Sequence, residues 1–454
     1  MTGGIIKRTA AVFGITAAVL AIAASAPAMA ADLGGNCCAD LEERIAELEA
    51  TTARKGNRKV SLTVSGWVNE ALLLWDDGFE SNQYVHTTEA AQTRFRFVGE
   101  AKIEGDWKAG YLLEIGVRGA RSDRINQNDD NGGTSANSLN IRHSAWWVSN
   151  KTYGKIWVGQ TSEATDGITE VNLANTNHFA SASWGNGFGD GGSGFFLRRK
   201  DGGLSGLQWG DFGTAGVSQG VPGEGHRLNV IKYDTPTIAG FTASASWGED
   251  DVWSVALRYA GELSGFKLAG GIGYGEWTDH NISADNRGAG ATQDIGLSAS
   301  ILHVASGLYA TGAWGRLQDD GLAALYPTRA VDDETTFYFL QGGIQKKFLP
   351  IGTTTLFGEY FNLERGAGFI PAVGGGTPLA PGNLGPGTLS DIASSEIQGW
   401  GVGVNQNISE VIDIYLSYRH VSLDVVTTSN LGAGAVKSQL EDLDYVTAGA
   451  QIKF

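Results

Sequence analysis

The chain has 454 residues, of which 66 are glycine and 9 proline, and it carries a formal net charge of −16. After residue 30 no apolar run reaches the roughly 18 residues that a transmembrane helix requires, which argues against a helical membrane protein. The acidic balance argues against a nucleic-acid-binding protein. A membrane β-barrel stays compatible with this composition, because only alternate residues of its strands face lipid.

Residues 1–30 have the pattern of a secretory signal peptide. Lys7 and Arg8 are followed by an apolar run over residues 10–24, and Ala-Met-Ala at 28–30 fits a small-residue cleavage site. We therefore expect export from the cytoplasm. Removal of this segment takes away two basic and no acidic residues, so the net charge becomes −16 − 2 = −18.

The segment 31–59 contains a predicted helix over residues 37–55, the only clear one in the chain. Its apolar seam has the 3, 4, 3, 4 spacing of heptads and consists of Cys38, Leu41, Ile45, Leu48 and Thr52. Two heptads are too short for a stable isolated helix. Two interpretations stay open: a short periplasmic coiled coil within an oligomer, or a single helix packed elsewhere. The adjacent Cys37 and Cys38 cannot staple a barrel, which leaves pairing between chains as one use.

Residues 60–454 read as one continuous strand-rich domain with sixteen predicted strands, an even number as bacterial barrels require. The predicted strands are Val60–Leu74, Gln92–Ile103, Trp107–Arg118, Ser138–Ser149, Gly154–Gln160, His226–Asp234, Gly240–Gly248, Asp251–Ala260, Gly265–Glu276, Gln293–Val304, Gly307–Leu317, Glu334–Lys347, Thr353–Leu363, Glu396–Asn407, Val411–Leu423 and Leu443–Phe454. Short turns alternate with long connections, and only the connection near Glu249 and Asp250 breaks the alternation. This predicts an all-β, sixteen-stranded antiparallel transmembrane barrel whose two ends lie on the short-turn, periplasmic rim.

Alternation within the strands predicts which side chains face lipid. In the last strand the predicted lipid face is Val446, Ala448, Ala450, Ile452 and Phe454. In the strand Gln92–Ile103, Arg94 and Arg96 lie opposite Phe95 and Phe97. Arginine facing lipid near the midplane costs about 2–4 kcal/mol, so both arginines should face the lumen. Six tryptophans near strand ends are expected in interfacial girdles, namely Trp146, Trp147, Trp157, Trp247, Trp253 and Trp277.

The connection from Thr161 to Gly225 is far longer than the others and is predicted to fold inward as a constriction loop. A barrel of 16 to 18 strands leaves an aqueous channel, and long irregular loops are usually functional or disordered. The candidate constriction pairs loop acids with wall arginines: Glu163, Asp166, Glu170 and Asp190 facing Arg94, Arg96 and Arg142. Opposed charges of this kind create a transverse field that favours polar solutes. The equally weighted alternative is that these pairs only hold the loop against the wall.

Catalytic patterns in the chain lack their structural context. Gly216–Gly220 matches a nucleophile elbow around Ser218, and Gly187–Gly192 matches a dinucleotide-binding glycine pattern, but both lie in a glycine-rich loop. The seven histidines have no metal-ligand spacing, and we predict no catalytic residue, no metal site and no cofactor. The alternatives to a general channel are a sugar-selective channel using Trp184, a barrel lipase using Ser218 and His226, and a structural tether.

Several stretches of this sequence resemble the alphaproteobacterial general porin family. They are Val60–Asn69, Trp75–Gly78, Thr93–Phe97, Ile115–Asp123, Arg142–Trp147 and Thr161–Glu170. The resemblance covers essentially the whole mature chain and implies a trimeric outer-membrane porin, constricted by the loop after the fifth strand. The expected partners are two further copies of the chain, outer-membrane lipids with lipopolysaccharide, and small hydrophilic solutes and ions. The cysteine pair and the glycine-rich residues 185–194 do not map onto the family.

Overall fold

The computed structural model describes residues 60–132, 138–182, 191–213, 221–248, 251–278, 291–320, 332–366, 384, 391–428 and 435–454. The predicted signal segment, helix and cysteine pair lie outside these residues. The described strands are β1 (Ser61–Asp76), β2 (Ser81–Thr87), β3 (Arg94–Lys102), β4 (Lys108–Arg118), β5 (Ser138–Asn150), β6 (Gly154–Ser162), β7 (Phe196–Arg198), β8 (Leu204–Gln208), β9 (Arg227–Asp234), β10 (Phe241–Gly248), β11 (Trp253–Leu263), β12 (Phe266–Trp277), β13 (Thr292–His303), β14 (Leu308–Asp319), β15 (Glu334–Lys346), β16 (Thr353–Arg365), β17 (Asp391–Asn407), β18 (Ile412–Thr428), β19 (Val436–Lys437) and β20 (Leu443–Lys453). The helix among them, α1 (Trp209–Gly213), has five residues. No helix in the described part of the chain is long and apolar enough to cross a membrane.

Eighteen of these strands form one antiparallel sheet, which closes where β1 pairs with β20 from Trp67↔Lys453 to Asp76↔Asp444. β7 and β8 form a separate two-stranded hairpin. β2 and β19 are short pieces on the long-connection rim, so sixteen strands cross the barrel. The predicted sixteen-stranded antiparallel barrel is confirmed.

The first hairpin differs from the sequence prediction, which ended the first strand at Leu74 and left residues 75–91 as a loop. β1 continues to Asp76, and its outer part pairs with β2 while its inner part pairs with β3. The reason lies in the turn between them. Gly78 has a φ of 87°, and the carboxylates of Asp76 and Asp77 accept hydrogen bonds from the turn backbone at 2.8–3.1 Å. Aspartate and glycine together make this reversal tight enough to extend the ladder.

The short connections gather on one rim, as predicted. The tightest joins β11 to β12 through Ser264 and Gly265, both with positive φ (51° and 80°). Two successive positive φ values define the turn whose twist matches that of the flanking strands. The longer connections lie on the opposite, extracellular rim.

The predicted alternation of the last strand is confirmed. Gln451 and Thr447 are buried within the barrel, whereas Ile452 and Phe454 are exposed on its outside, where lipid would contact them. The girdle prediction holds for Trp146, which is 52% exposed on the outer face. It is wrong for Trp147, Trp157 and Trp277, which lie on the lumen side.

Candidate functional site: a constriction inside the barrel

The loop between β6 and β9 folds into the lumen, and its first part, residues 163–182, follows the inner wall. The Ala164 amide donates to Ser246 Oγ (2.9 Å), and the Leu173 amide donates to Ser300 Oγ (3.0 Å). Further along, Asn405 Nδ2 donates to the Asn175 carbonyl at 3.3 Å. A backbone inside a barrel lacks strand partners, and polar lumen-facing side chains of the wall provide its hydrogen bonds instead.

A buried group of polar side chains on β15, β16 and β18 contacts the far end of this segment. Arg419 Nε and Glu359 Oε1 are 2.6 Å apart, and Gln341 Nε2 donates to Glu359 Oε2 at 3.1 Å. The same side chains reach the loop: Arg419 donates to the Phe179 carbonyl (3.3 Å), and Gln341 Oε1 accepts from Thr176 (2.8 Å). The loop is therefore anchored to β15, β16 and β18.

The second part of the loop, residues 191–213, which we call the distal limb, packs into an apolar core within the extracellular half of the barrel. The core members from the limb are Phe195, Leu197, Leu207, Trp209 and Phe212. The core members from the wall include Leu73, Trp75, Phe337, Phe339, Phe361, Leu363, Val421, Leu423, Leu443 and Tyr445. Here the inward faces of β1, β15, β16, β18 and β20 are apolar, so protein rather than water covers this side of the lumen.

Polar contacts fix the distal limb at its edge. Arg198 is buried and lies 2.8 Å from both Asp77 Oδ2 and Glu80 Oε2 of the first hairpin. Arg365 of β16 donates to the Asp211 carbonyl in α1 at 3.2 Å. The limb is thus held by both apolar burial and charge-assisted hydrogen bonds.

The opposite wall is basic. Three arginines converge on one buried carboxylate of β4, Glu114: Arg94 at 3.0 Å, Arg96 at 2.8 Å and Arg142 at 2.8 Å. A single carboxylate compensates one of three positive charges. Arg96 is the most exposed of the three, at 36%.

Arg142 reaches this cluster because of a β-bulge. The register between β4 and β5 passes from Glu114↔His143 directly to Ile115↔Ile141, so Arg142 is the extra residue. A bulge redirects a side chain, and both Arg142 and His143 lie on the lumen side. His143 Nδ1 is 3.2 Å from Thr161 Oγ1.

The loop acids named from the sequence occupy different environments. Glu163 is buried at the root of the loop, where its carboxylate accepts the His226 amide at 2.9 Å. Glu170 accepts from Ser181 Oγ at 2.7 Å. Asp190 lies outside the described residues, as do Trp184 and Ser218.

Asp166 connects the loop to two arginines that sequence reasoning did not select. Its Oδ2 is 3.6 Å from Arg227, and its carbonyl accepts from Arg258 at 2.8 Å. Both arginines lie in predicted strands, but nothing in their spacing indicated which loop residue they would meet. The described residues thus bring Asp166 against Arg227 and Arg258, while Arg94, Arg96 and Arg142 gather on Glu114.

A further loop acid, Glu224, was also missed. It accepts hydrogen bonds from the Gly167 amide, the Thr169 amide (2.8 Å) and the Thr169 hydroxyl (2.5 Å). Burial raises the pKa of Glu224 well above its usual range, and the charges of Glu170 and Asp166 add to this. Through these three hydrogen bonds the Glu224 side chain closes the loop on itself.

Among the described residues, no group of three or more histidine, cysteine, aspartate or glutamate side chains is arranged to hold a metal ion. The site is a narrowed aqueous passage with fixed charges in a closed transmembrane barrel. This arrangement defines an outer-membrane channel through which small solutes diffuse.

The chain belongs to the Gram-negative porin family, whose family model matches residues 16–425. Its barrel is similar to the anion-selective porin from Comamonas acidovorans (16% identity, 87% of this chain and 100% of that one, TM-score 0.51). It is also similar to Salmonella typhi OmpF in complex with daunomycin (12% identity, 87% and 98%, TM-score 0.50) and to the trimer form of Vibrio cholerae OmpT (10% identity, 87% and 99%, TM-score 0.50). These likenesses establish the fold. No curated protein matches the chain.

The protein is therefore an outer-membrane porin that forms a channel for small solutes. The predicted family, location and passive channel function are confirmed. Membership of the alphaproteobacterial subgroup stays a prediction.

Proposed function

We propose that this porin prefers anions and that its selectivity arises at the arginine cluster and the loop carboxylates near it. The observation that supports this is the convergence of Arg94, Arg96 and Arg142 on one carboxylate, that of Glu114, within the described part of the chain. Arg227 and Arg258 lie against Asp166, so five arginines of this region contact two acidic residues, Glu114 and Asp166. Excess positive charge on the wall of a narrow aqueous passage concentrates anions there.

The packing of the distal limb supports the same location for the solute path. Because apolar side chains fill the side of β14–β18, β20 and β1, the hydrated path would run along β3–β6. Solutes would then pass close to the arginine cluster.

The test is the reversal potential of single channels in a planar bilayer under a potassium chloride gradient. We expect an anion-preferring sign for the wild type and a reduced preference for Arg96→Gln. Arg316→Gln is the matched control, because Arg316 lies on an outward-facing position of β14 and pairs with Glu334 at 2.7 Å. A cation-preferring wild type would overturn the proposal.

We also propose that the chain assembles as a homotrimer with the periplasmic segment 31–59 following a cleaved signal peptide, and that lipid and lipopolysaccharide surround it. Family membership supports the assembly, and the exposed apolar residues of the outer face support the lipid contact. Conductance steps in multiples of three would agree with a trimer. Amino-terminal sequencing of protein from outer membranes tests the cleavage site.

We propose finally that the chain is a channel without hydrolase activity. His226, the base that a Ser218 hydrolase would need, is engaged at the root of the loop, with Nδ1 3.4 Å from Glu163. Ser218→Ala should leave conductance unchanged. Ester hydrolysis that disappears in this variant would contradict the proposal.

A further inference from the structure

We propose that Lys155, held between two lumen-facing tryptophans, is a second charge-selecting residue at the periplasmic mouth of the channel. We call Lys155, Trp147 and Trp157 the periplasmic station. This inference rests on the proposed function, because it concerns the same solute path.

The periplasmic station lies well below the arginine cluster. Lys155 is the second residue of β6, directly after the short turn, and Trp147 and Trp157 are register partners. Trp147 is three residues from the periplasmic end of β5 (150 − 147), and Arg142 is eight (150 − 142). Five residues of a tilted strand span roughly 12 Å along the barrel axis. This exceeds the screening length of about 10 Å at 0.1 M salt, so the two charged regions act separately.

Two indole faces contact the same ammonium group. Lys155 Nζ lies 3.6 Å from the Trp157 ring centroid and 4.1 Å from the Trp147 ring centroid. The rings are 6.2 Å apart and tilted by 57°. Trp157 is oriented by a hydrogen bond from its Nε1 to Asp234 Oδ2 at 3.0 Å.

This environment immobilises a cation without neutralising it. Indole faces attract an ammonium group through their quadrupole, and they carry no net charge. The neighbouring lumen-side lysines differ, because Lys108 pairs with Glu100 at 2.6 Å and Lys232 lies 3.9 Å from Asp234. Within the described residues, no carboxylate comes within ion-pair distance of Lys155. Asp234, the register partner of Lys155 in β9, lies beyond that distance and compensates the charge only in part, so Lys155 still presents positive charge to solutes at the mouth.

The effect of Lys155 on selectivity should depend on the side from which an ion enters the channel. An anion that enters from the periplasm meets the periplasmic station before the arginine cluster, whereas one that enters from outside meets it last. Removing this charge should therefore change selectivity more when the dilute salt solution bathes the periplasmic side.

The experiment compares Lys155→Met with Lys151→Met in oriented bilayers, with the salt gradient applied in each direction. Lys151 is the matched control, because it lies in the adjacent β5–β6 turn and its side chain is 80% exposed. The interaction energy between a unit charge and an ion roughly 7 Å away in water is about RT. We therefore expect Lys155→Met to lower the anion-to-cation permeability ratio about two- to threefold. Lys155→Arg should keep the wild-type ratio. Equal ratios for Lys155→Met and Lys151→Met would overturn the inference.

The role of the rings is tested separately. Trp157→Leu should shift the ratio in the same direction as Lys155→Met, while Trp146→Leu, on the outer face of β5, should not. A Trp157→Leu channel with an unchanged ratio would show that the rings do not position the charge. The sign of the wild-type reversal potential tests the proposed anion preference. The difference in permeability ratio between Lys155→Met and Lys151→Met tests the periplasmic station, so either proposal can fail while the other holds.

Discussion

Replacing Arg419 by methionine removes the cation that compensates Glu359 inside the barrel. The side chains of Arg419 and Glu359 are 2% and 0% exposed. Removing one partner of a buried ion pair leaves an uncompensated charge and costs about 3–5 kcal/mol. We expect Arg419→Met to lower the free energy of unfolding by that amount. Because Arg419 also donates to the Phe179 carbonyl, the variant should loosen the constriction loop and increase current noise in the open channel.

The geometry of the pair offers a second, charge-neutral perturbation. Gly401 of β17 lies in register between Glu359 and Arg419, and the ion pair passes over it. A Cβ at this position would lie 2.8 Å from the Tyr418 carbonyl oxygen, 2.9 Å from Arg419 Cγ and 3.2 Å from Glu359 Oε1. Gly401→Ala should therefore disturb the pair without removing a charge and should destabilise less than Arg419→Met.

Both variants are measured by urea unfolding in detergent, followed by tryptophan fluorescence and by the gel mobility of heated and unheated samples. The informative control is Arg419→Met combined with Glu359→Gln, which removes both charges and should recover much of the lost stability. If the double variant is as unstable as Arg419→Met, the loss comes from packing and the argument from an uncompensated charge is wrong.

Three further predictions concern the constriction. Glu114→Gln should raise the anion-to-cation permeability ratio about two- to threefold, as expected for loss of one charge beside the path, and a shift towards cations in the reversal potential would contradict this. Phe212→Ala should destabilise the packing of the distal limb by about 3–5 kcal/mol. We expect faster limited proteolysis of residues 191–213 and a higher conductance. Unchanged proteolysis would mean that this core does not hold the limb. Burial lowers the pKa of His178, which packs on Phe179 and Tyr415, to about 4. Its neutral ring therefore stabilises the docked loop above about pH 6.5, and this contribution is lost as pH falls towards 4. We therefore expect the channel to close more often as pH falls from 7 to 4.5. His178→Phe should reduce this pH dependence, and an unaltered pH profile would show that His178 is not its source.

Whether a strand side chain faces lipid or the lumen could be predicted for most residues, because a polar side chain in contact with lipid is energetically unfavourable. An arginine turned outward near the midplane is costly, so alternation alone places Arg94 and Arg96 in the lumen. Their partners could not be predicted in the same way. The convergence of three arginines on Glu114 depends on the register of β3, β4 and β5, which no local pattern encodes.

The two neighbouring tryptophans of β5 show where alternation fails. If Arg142 faces the lumen, strict alternation places Trp146 inward and Trp147 outward. The bulge at Arg142 adds one residue, and a one-residue shift exchanges the two faces of everything that follows. Trp147 consequently faces the lumen, beside Lys155, instead of joining the outer girdle.

The proposed positive charge of the channel wall is opposite in sign to the net charge of the chain, and the two are compatible because of distance. The chain carries −16, and much of this charge lies in extracellular connections, as with Asp129 and Asp130 or Asp332 and Asp333. Exposed charges further than about 10 Å from the path are largely screened at 0.1 M salt. A solute in the constriction is instead within contact range of wall arginines that, among the described residues, share the single carboxylate of Glu114. On the proposed path, selectivity therefore depends on a few positions on β3–β6, where the fold directs basic side chains inward, and not on the net charge of the whole sequence.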